Sequence, residues 1–576
     1  MCSFFVKEDR ISLAKGGDII HKILDENYLD LLVENVLEIP LKRGEGITRI
    51  NDRYSVLHME NNDFNMCSLG IYPYHTFPSI YILNSTISME RSSINPVRNN
   101  PGLSLFGQGV VIGFVDTGIK YEHEAFLNVD GSTRILSIWD QTITEGNPPT
   151  GFTFGTEYDK NVINMALLTP DPLSLVPSTD SIGHGTMLAG IAAGNIMNPP
   201  DFSGIAPKAD IIAVKLPLAK KFNREIFSIE QNVICYQETN ILLGIEYIKS
   251  VANQLKRPYI ICIGMGSSQG NHDGHNAMEI TLNTLATVPR AGICIAAGNE
   301  GNSQRHYHGN FTLQENTKKI ELRVGEMDKN FFMEIWQNAT SRLMVEIISP
   351  KGEKIKSVTP RFNECMEYNF ILEPSKIYIN NIIVEQQTGE QLILIRFQEA
   401  LSGIWIIQVI NMDSFTGNFN AWLPAGDIIS SNTYFLKSDP DNTITSPAAA
   451  RNPVTVAAYD QFNNGIMAES SRGFTTNGTV KPDIAAPGYK LPCPIIEGTD
   501  TYGTASGTGA AAAHTAGAAA MLMEWAVLRG NYTTITGRDI NGLLIRGGKR
   551  DNYSIYPNKL WGYGQLDLFQ VFQSLI

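Results

Sequence analysis

The run of small residues from 502 to 521, YGTASGTGAAAAHTAGAAAM, limits what this chain can fold into more than any other stretch. A glycine turn leads into a helix whose side chains are nearly all small. Such a thin helix can pack deep in a core, close against a sheet. Its first turn also presents backbone N–H groups without helical partners and the positive end of the helix dipole. Because these groups can stabilise an oxyanion, the stretch predicts an active-site helix that mounts a nucleophile.

The bulk composition indicates a soluble globular protein of two or three domains. The chain has 576 residues, which is too many for one ordinary core, with 43% hydrophobic and 18% charged residues. A net charge of −13 argues against a general nucleic-acid binder. We find no apolar run long enough for a transmembrane helix. The first ten residues, MCSFFVKEDR, lack the basic start and apolar core of a secretory signal peptide, so we expect synthesis in the cytoplasm.

The seven cysteines are scattered, and no C-x-x-C pair occurs among them. This pattern argues against a disulfide framework or a zinc site and favours a reducing compartment at synthesis. Cys262 and Cys294 lie in apolar, strand-like runs, where we expect buried, inert thiols. We identify no metal ligands and no cofactor from the sequence; no EF-hand-like loop appears, and subtilase calcium loops lack a short signature.

The first 95 residues are typical of a small, separate α/β unit. Apolar residues at helical spacing predict a helix within 19–37. Residues 54–59 predict a strand, and a further strand near 69–72 is cut short by Pro73. A short apolar run at 80–83 precedes a polar connection to the next domain.

Four later stretches carry candidate site residues. Val110–Val115 is a buried strand of the parallel type that ends in Asp116, at the sheet edge where α/β proteins place their sites. Taken alone, Asp116 could equally cap a turn. His184 enters a second small-residue helix, and a lone histidine there is more often a packed or capping residue. A strand over 258–266 ends in Gly264-Met265-Gly266, and another strand-like run ends near Asn299, for which a turn role is the alternative.

The composition changes between 310 and 437. Short segments with alternating apolar residues replace the small-residue helices, as at 319–324, 343–348, 391–397 and 404–410. This pattern predicts a β-sandwich or jelly roll. We therefore predict an all-β domain over 310–437, which we call the β insert.

Together, these motifs resemble the subtilisin-like serine protease superfamily, the subtilases. The similarity rests on D-T-G at Asp116, G-H-G-T-M-L-A-G-I-A-A-G at His184, A-A-G-N-E-G at Asn299 and G-T-G-A-A-A-A-H-T-A-G at Gly509, in the family's order. It covers about three-quarters of the chain. The absence of a signal peptide, the stretch GSSQGNHDG at 266–274 and the β insert resemble the Csp-type germination proteases of clostridial spores.

The resemblance implies an α/β fold: a subtilisin-like parallel sheet with helices on both faces. It also implies a small α/β prodomain at 1–95, subtilase parts at 96–309 and 438–576, and an all-β jelly roll at 310–437. In this family Asp116 would orient His184, His184 would act as the base, and Asn299 would face the oxyanion. The cleft edge that pairs with substrate backbone would be Gly264, Met265 and Gly266.

The chain departs from the family at two positions of the nucleophile segment. Ala513 stands where proline is usual, and Gly509 stands where the catalytic serine belongs. Glycine has no side chain, so His184 has nothing to activate; in subtilisin, losing the nucleophile costs about 10^6 in kcat. We do not expect Thr508 or Ser506 to replace it, because a neighbouring side chain points elsewhere and reacting atoms must lie within about 3–3.5 Å.

We therefore predict a pseudoprotease that regulates or integrates signals in bacterial spore germination. Since the chain cannot cut itself, residues 1–95 should stay attached, with the tail at 84–93 in the cleft. The alternatives are an active serine-type endopeptidase that processes a cortex-lytic enzyme precursor and a purely structural spore protein. By resemblance, the partners are other Csp-type proteases or that precursor, together with a small-molecule germinant, and the location is the spore. No nucleic-acid partner or membrane span is expected.

Overall fold

The structure is a computed structural model, and all structural statements here refer to the residues it describes. These are 22–35, 45–60, 64–84, 97–98, 100, 102–198, 201–337, 341–362, 364–413 and 416–575. Within these ranges, no helix has both the length and the apolar character needed to cross a bilayer.

The N-terminal unit, residues 22–84 as described, is built on a three-stranded antiparallel sheet. Its elements are β1 (Tyr28–Glu34), β2 (Gly46–Arg49), β3 (Tyr54–Glu60), the short helix α1 (Ser68–Ile71), a 3-10 turn (Tyr74–Thr76) and β4 (Ile80–Leu83). The order in this sheet is β1-β3-β2, and β4 lies outside it. The predicted strand at 54–59 is confirmed, and the apolar run at 80–83 forms strand β4. The short turn α1, in which Leu69 and Gly70 have non-helical backbone angles, replaces the strand expected near 69–72.

The prediction of a helix within 19–37 is wrong for β1, which pairs with β3 along its whole length. Both faces of this strand are buried. Leu29 and Leu31 pack toward the β insert, while Leu32 packs toward the central α/β core. The apolar residues therefore show no alternation, and a short apolar run cannot be told from a buried helix by periodicity.

The first subtilase part follows the N-terminal unit. Its strands are β5 (Val111–Asp116), β6 (Ile135–Asp140), β7 (Thr156–Asp159), β8 (Asp210–Lys215), β9 (Tyr236–Gln237), β10 (Tyr259–Ile263), β11 (Met265–Gly266) and β12 (Ala291–Ala296). Its helices are α2 (Lys160–Leu167), α3 (His184–Ala193), α4 (Lys221–Glu225), α5 (Glu238–Gln254) and α6 (Ala277–Leu285), with 3-10 turns at Glu124–Phe126 and Pro172–Ser174.

The named strands of the β insert, β13 to β23, pair antiparallel and form two sheets around one apolar core. Its strands are β13 (His306–Phe311), β14 (Thr317–Val324), β15 (Phe331–Gln337), β16 (Leu343–Ile348), β17 (Lys354–Val358), β18 (Met366–Asn369), β19 (Lys376–Ile382), β20 (Gln391–Gln398), β21 (Gly403–Asn411), β22 (Gly417–Trp422) and β23 (Tyr434–Phe435), with a 3-10 turn at Gly426–Ile428. The sheet orders are β13-β22-β15-β20-β19-β18 and β17-β16-β21-β14-β23. All four predicted segments are strands, and these all-β sheets are consistent with an inserted domain.

The second subtilase part returns to the central sheet. Its elements are β24 (Val454–Asp460), β25 (Gly465–Ile466), β26 (Ile484–Pro487), β27 (Leu491–Pro494), β28 (Tyr502–Ala505), α7 (Thr508–Met523), a π-helical turn (Glu524–Leu528), α8 (Gly537–Arg546) and α9 (Leu568–Gln573). The central sheet runs β25-β24-β12-β10-β5-β8-β6-β7, with β26 beside β24. Only its outermost pairs, β24 with β25 and β6 with β7, are antiparallel.

Period-two alternation in the central strands explains why helices cover both faces of the sheet. In β5, Ile112 and Phe114 pack against the small-residue helices α3 and α7, whereas Val111 and Val115 pack against α5 and α6 on the opposite face. Helix α7 is buried along its whole length, because Ala and Gly side chains let it approach the strands closely. The predicted parallel α/β sheet with helices on both faces is thus confirmed.

One expectation about the cysteines is wrong. Cys67 in the N-terminal unit and Cys365 in the β insert form a disulfide across 298 residues of sequence. Cysteine spacing alone did not reveal this pair, because the fold brings together two distant, partly exposed positions. Cys262 and Cys294 are buried free thiols, as predicted, and burial raises the pKa of each.

Candidate active site

A buried histidine–aspartate pair lies at the carboxyl edge of the central sheet. Asp116 is the last residue of β5 and His184 the first of α3, and His184 Nδ1 lies 2.7 Å from Asp116 Oδ1. The carboxylate accepts the Nδ1 proton, so this contact favours the tautomer whose Nε2 is a proton acceptor. Nε2 of His184 is buried and has no hydrogen-bond partner among the described residues.

Gly509 is the second residue of α7, directly beyond the turn at Gly507, whose φ of 122° lies in the region that favours glycine. Its backbone N–H has no partner within the helix and donates instead to the carbonyl oxygen of Asn84, at 2.5 Å. A carbonyl is thus held at the positive end of the helix dipole, where an acyl-transfer enzyme stabilises negative charge.

Asn299 is fixed by the residue next to Gly509. The backbone N–H and the hydroxyl of Thr508 both donate to Asn299 Oδ1, at 3.1 and 3.0 Å. The amino end of the carboxamide is therefore turned away from Thr508. Asn299 lines an open cavity of about 580 Å³ together with Leu83 and Asn84.

The two hydroxyls that could replace a missing nucleophile have other partners. Thr508 is buried, and its Oγ1 also accepts the backbone N–H of Gly298 at 3.1 Å. Ser506 Oγ accepts the backbone N–H of Lys490 at 2.9 Å. Neither hydroxyl hydrogen-bonds to His184, whose Nε2 has no partner among the described residues.

The predicted cleft edge is already paired with the chain's own strand β4. Met265 pairs with Leu83 and Gly266 with Ile82 in antiparallel register. The next residue, Asn84, donates its backbone N–H to Gly264 O at 2.9 Å. We call residues 80–84 the tail; residues 85–93 of the predicted tail lie outside the described part of the chain.

Two glycines of this edge leave room that a side chain would fill. A Cβ on Gly264 would lie 3.1 Å from His184 Cε1, so glycine here gives the imidazole space. A Cβ on Gly266 would lie 2.7 Å from Asn84 Nδ2 and 2.3 Å from Thr445 Oγ1. The side chain of Asn84 is fully buried there, and neither of its amide atoms has a partner among the described residues.

The β insert also reaches the cleft, which sequence reasoning missed. The backbone N–H of Gly426 donates to Glu300 Oε1 at 2.9 Å, and Glu300 directly follows Asn299 in the chain. Gly426 also packs against Ile82 of the tail; a Cβ added to Gly426 would lie 2.8 Å from Ile82 Cδ1. Arg305 pairs with Glu300 at 3.6 Å and donates to Gly426 O at 2.5 Å. No local signal indicated these contacts, because the partners are far apart in sequence.

The fold and the site can be compared with known proteins. The solved structure of the Clostridium perfringens CspB protease superposes with a TM-score of 0.74 and 31% identity, over 84% of this chain and 96% of that one. Thermitase of Thermoactinomyces vulgaris is 26% identical over 201 residues, which is 35% of this chain and 51% of thermitase. The Arabidopsis thaliana subtilisin-like protease SBT4.7 is 23% identical over 476 residues, 77% of this chain and 58% of that protein.

The chain therefore spans little more than half the length of these two curated relatives. The sequence model of the Subtilase family matches residues 107–346 and 416–564, which is well over half of the chain. These segments contain Asp116, His184, Asn299 and Gly509. The chain belongs to the subtilase family.

Proposed function

We propose that this subtilase is a catalytically inactive pseudoprotease whose cleft is occupied by its own tail, and that it regulates or integrates signals in bacterial spore germination. The observation that carries the proposal is the arrangement around Gly509. Its N–H holds the Asn84 carbonyl at 2.5 Å, while Nε2 of the buried His184 has no described partner. The site has a base, an orienting carboxylate and a polarised carbonyl, but no hydroxyl between them.

This arrangement can bind a peptide without cutting it. An active member would use His184 to take a serine proton, and the serine oxygen would attack the bound carbonyl carbon. Here the Gly509 N–H still polarises that carbonyl, and by family resemblance Asn299 would also face it. A rate of roughly 10^3 to 10^4 over water remains when only binding and an oxyanion hole act. Such a rate would not sustain a physiological protease.

The germination role draws on the Csp-type motifs in the sequence and on the likeness to the CspB protease structure. An inert subtilase that keeps its cleft residues suits a role in binding, with other Csp-type proteases or a cortex-lytic enzyme precursor as protein partners. A small-molecule germinant is a further proposed partner, and the spore is the proposed location.

The test is to restore the missing hydroxyl. Gly509→Ser should cut its own chain after Asn84, because the Asn84 carbonyl is the one bound at the helix terminus. The wild type and the matched control Gly509→Ala should stay intact. Reduced denaturing gels, with sequencing of the new N-terminus at Ser85, measure the cut. A fluorophosphonate probe, which needs an activated hydroxyl, should label Gly509→Ser only.

The competing endopeptidase function rests on the intact Asp116, His184 and Asn299, and the same experiment separates it from inactivity. Probe labelling or self-cleavage of the wild type would show an unorthodox nucleophile and refute inactivity. If neither the wild type nor Gly509→Ser cleaves its own chain, the site has lost more than the serine hydroxyl, and one substitution does not restore activity. Deleting the gene separates regulation from a structural role: a regulator changes germination of normally assembled spores, and a structural protein changes their assembly.

A further inference from the structure

The described cysteines fall into two chemical classes. Four are buried free thiols: Cys235, Cys262, Cys294 and Cys493. The other two, Cys67 and Cys365, are partly exposed and joined in the disulfide, with their Cα atoms 5.2 Å apart. A dissolved thiol can therefore reach this bond more readily than the buried thiols.

The disulfide lies at the start of the segment that leads into the cleft. The β insert holds that segment at successive points along its course. The contacts are Asn380 Nδ2 to Leu69 O at 2.6 Å, Tyr74 Oη to Glu334 Oε1 at 2.7 Å and His75 Nδ1 to Glu385 Oε1 at 2.9 Å. Further on, Ile80 N–H donates to Gln269 Oε1 at 2.7 Å, and the tail then enters the cleft.

We propose that the bond between Cys67 and Cys365 is a redox-controlled second covalent attachment of the N-terminal unit. The tail would leave the cleft only after two events: cleavage of the 85–96 connection and reduction of the disulfide by a dithiol. The proposal rests on the proposed role of the tail as occupant of the cleft. It does not depend on whether Gly509→Ser becomes active.

The surroundings of Cys365 suit thiol–disulfide exchange. Arg396 Nη2 lies 3.8 Å from Cys365 Sγ and is held by Asn380 Oδ1 at 2.6 Å. A guanidinium at this place stabilises a thiolate leaving group. A reductant thiolate would attack Cys67 Sγ, and the S–S bond would break with Cys365 leaving as the thiolate. The second thiol of the dithiol would then free Cys67, so the dithiol is oxidised by two electrons and the protein disulfide is reduced by two.

The attachment changes what proteolysis can do. After a cut in 85–96, the tail would remain on a short tether from position 67, so rebinding is intramolecular. Short flexible tethers give effective concentrations in the millimolar range. Reduction removes the tether and makes rebinding depend on the free concentration of the N-terminal fragment.

The first measurement tests the bond in the full-length chain. The protein is unfolded in urea without reductant and treated with iodoacetamide, and its intact mass is measured. All but two of the seven cysteines should be alkylated, and all seven after dithiothreitol. In Cys67→Ser, Cys365 should also react without reductant, whereas the matched control Cys235→Ser should keep the protected pair. Alkylation of all seven in the unreduced wild type would overturn the proposal.

The second measurement tests whether the disulfide retains the N-terminal fragment after the chain is cut. A site-specific protease sequence is inserted between positions 90 and 91, the chain is immobilised by its C-terminus and cut, and loss of the N-terminal fragment is followed in native buffer. Dithiothreitol should speed the loss at least tenfold, and Cys67→Ser should lose the fragment fast without it. Equal rates with and without dithiothreitol would overturn the proposal. Both measurements use chains in which Gly509 is unchanged. Their outcome therefore does not depend on whether Gly509→Ser restores proteolysis.

Discussion

Removing the cation of one buried ion cluster should loosen the N-terminal unit from the subtilase core. Asp30 on β1 is fully buried. His58 Nδ1 contacts it at 2.7 Å, Lys220 Nζ at 2.8 Å and Gln237 Nε2 at 2.7 Å. Lys220 and Gln237 belong to the first subtilase part, so the carboxylate joins the two units. Lys220→Met leaves this carboxylate in the interior without its lysine partner.

The expected cost follows from that burial. Removing one partner of a buried ion pair costs about 3–5 kcal/mol, because the remaining charge is left uncompensated. Lys221→Met is the matched control: Lys221 is exposed and pairs with Glu225 at 3.7 Å, so its loss should cost less than about 0.5 kcal/mol. The double variant Asp30→Asn/Lys220→Met should lose less than the sum of the single variants, since neither charge is left alone.

Urea unfolding measures these differences, and hydrogen exchange of β1 and β3 locates them in the N-terminal unit. Burial alone would raise the pKa of Asp30, but Lys220 and His58 outweigh it, and the pKa is lowered from 3.8. The cluster should thus stabilise the fold at pH values above about 4, and that stability should be lost as the pH falls further. If Lys220→Met and Lys221→Met unfold at the same urea concentration near pH 7, the reasoning is refuted.

Two further predictions concern acid stability and helix packing. Burial lowers the pKa of His306, which stacks on Trp422, from 6.5 to about 4, so the unfolded chain binds this proton more tightly. The free energy of unfolding should therefore fall by about 3 kcal/mol between pH 6.5 and 4, and denaturant titrations of His306→Gln should show a smaller fall; an equal fall would contradict this. Gly517→Ala in α7 would place a Cβ 2.5 Å from Ile205 Cβ and should cost about 1–3 kcal/mol by thermal unfolding. Gly542 lies on the exposed surface of α8, and a Cβ added there meets nothing within 4 Å. Gly542→Ala should therefore stabilise the fold by about 0.5–1 kcal/mol. Similar changes in stability for Gly517→Ala and Gly542→Ala would argue against tight packing of α7.

The elements around the site could be predicted where local sequence determines local shape. The buried strand before Asp116 and the small-residue helices after His184 and Gly509 are visible in short windows, because Val-rich runs and Ala/Gly-rich runs pack in different ways. The sheet topology then brings these chain segments to one edge, where His184 contacts Asp116 and the Gly509 N–H reaches the tail.

What could not be predicted depends on partners far away in sequence. Strand β1 was interpreted as a helix because neighbours from two other units bury both of its faces. Nothing local indicates that Thr445 lies beside Gly266, or that Gly426 of the β insert contacts Glu300 and Ile82. Family resemblance predicts residues 84–93 in the cleft, and of these the structure describes Asn84 there. No local sequence signal indicates that the preceding strand β4 pairs with the cleft edge, Leu83 with Met265.

The pairing of β4 has a consequence for solubility. In its small sheet β4 is the middle strand, with β11 on one side and β9 on the other, both antiparallel. Loss of the tail would turn both neighbours into open edges with unpaired N–H and C=O groups, which can recruit strands from other molecules. A chain of this design that sheds its N-terminal unit would expose these two short edges, so the attached unit keeps their backbone groups paired as well as filling the cleft.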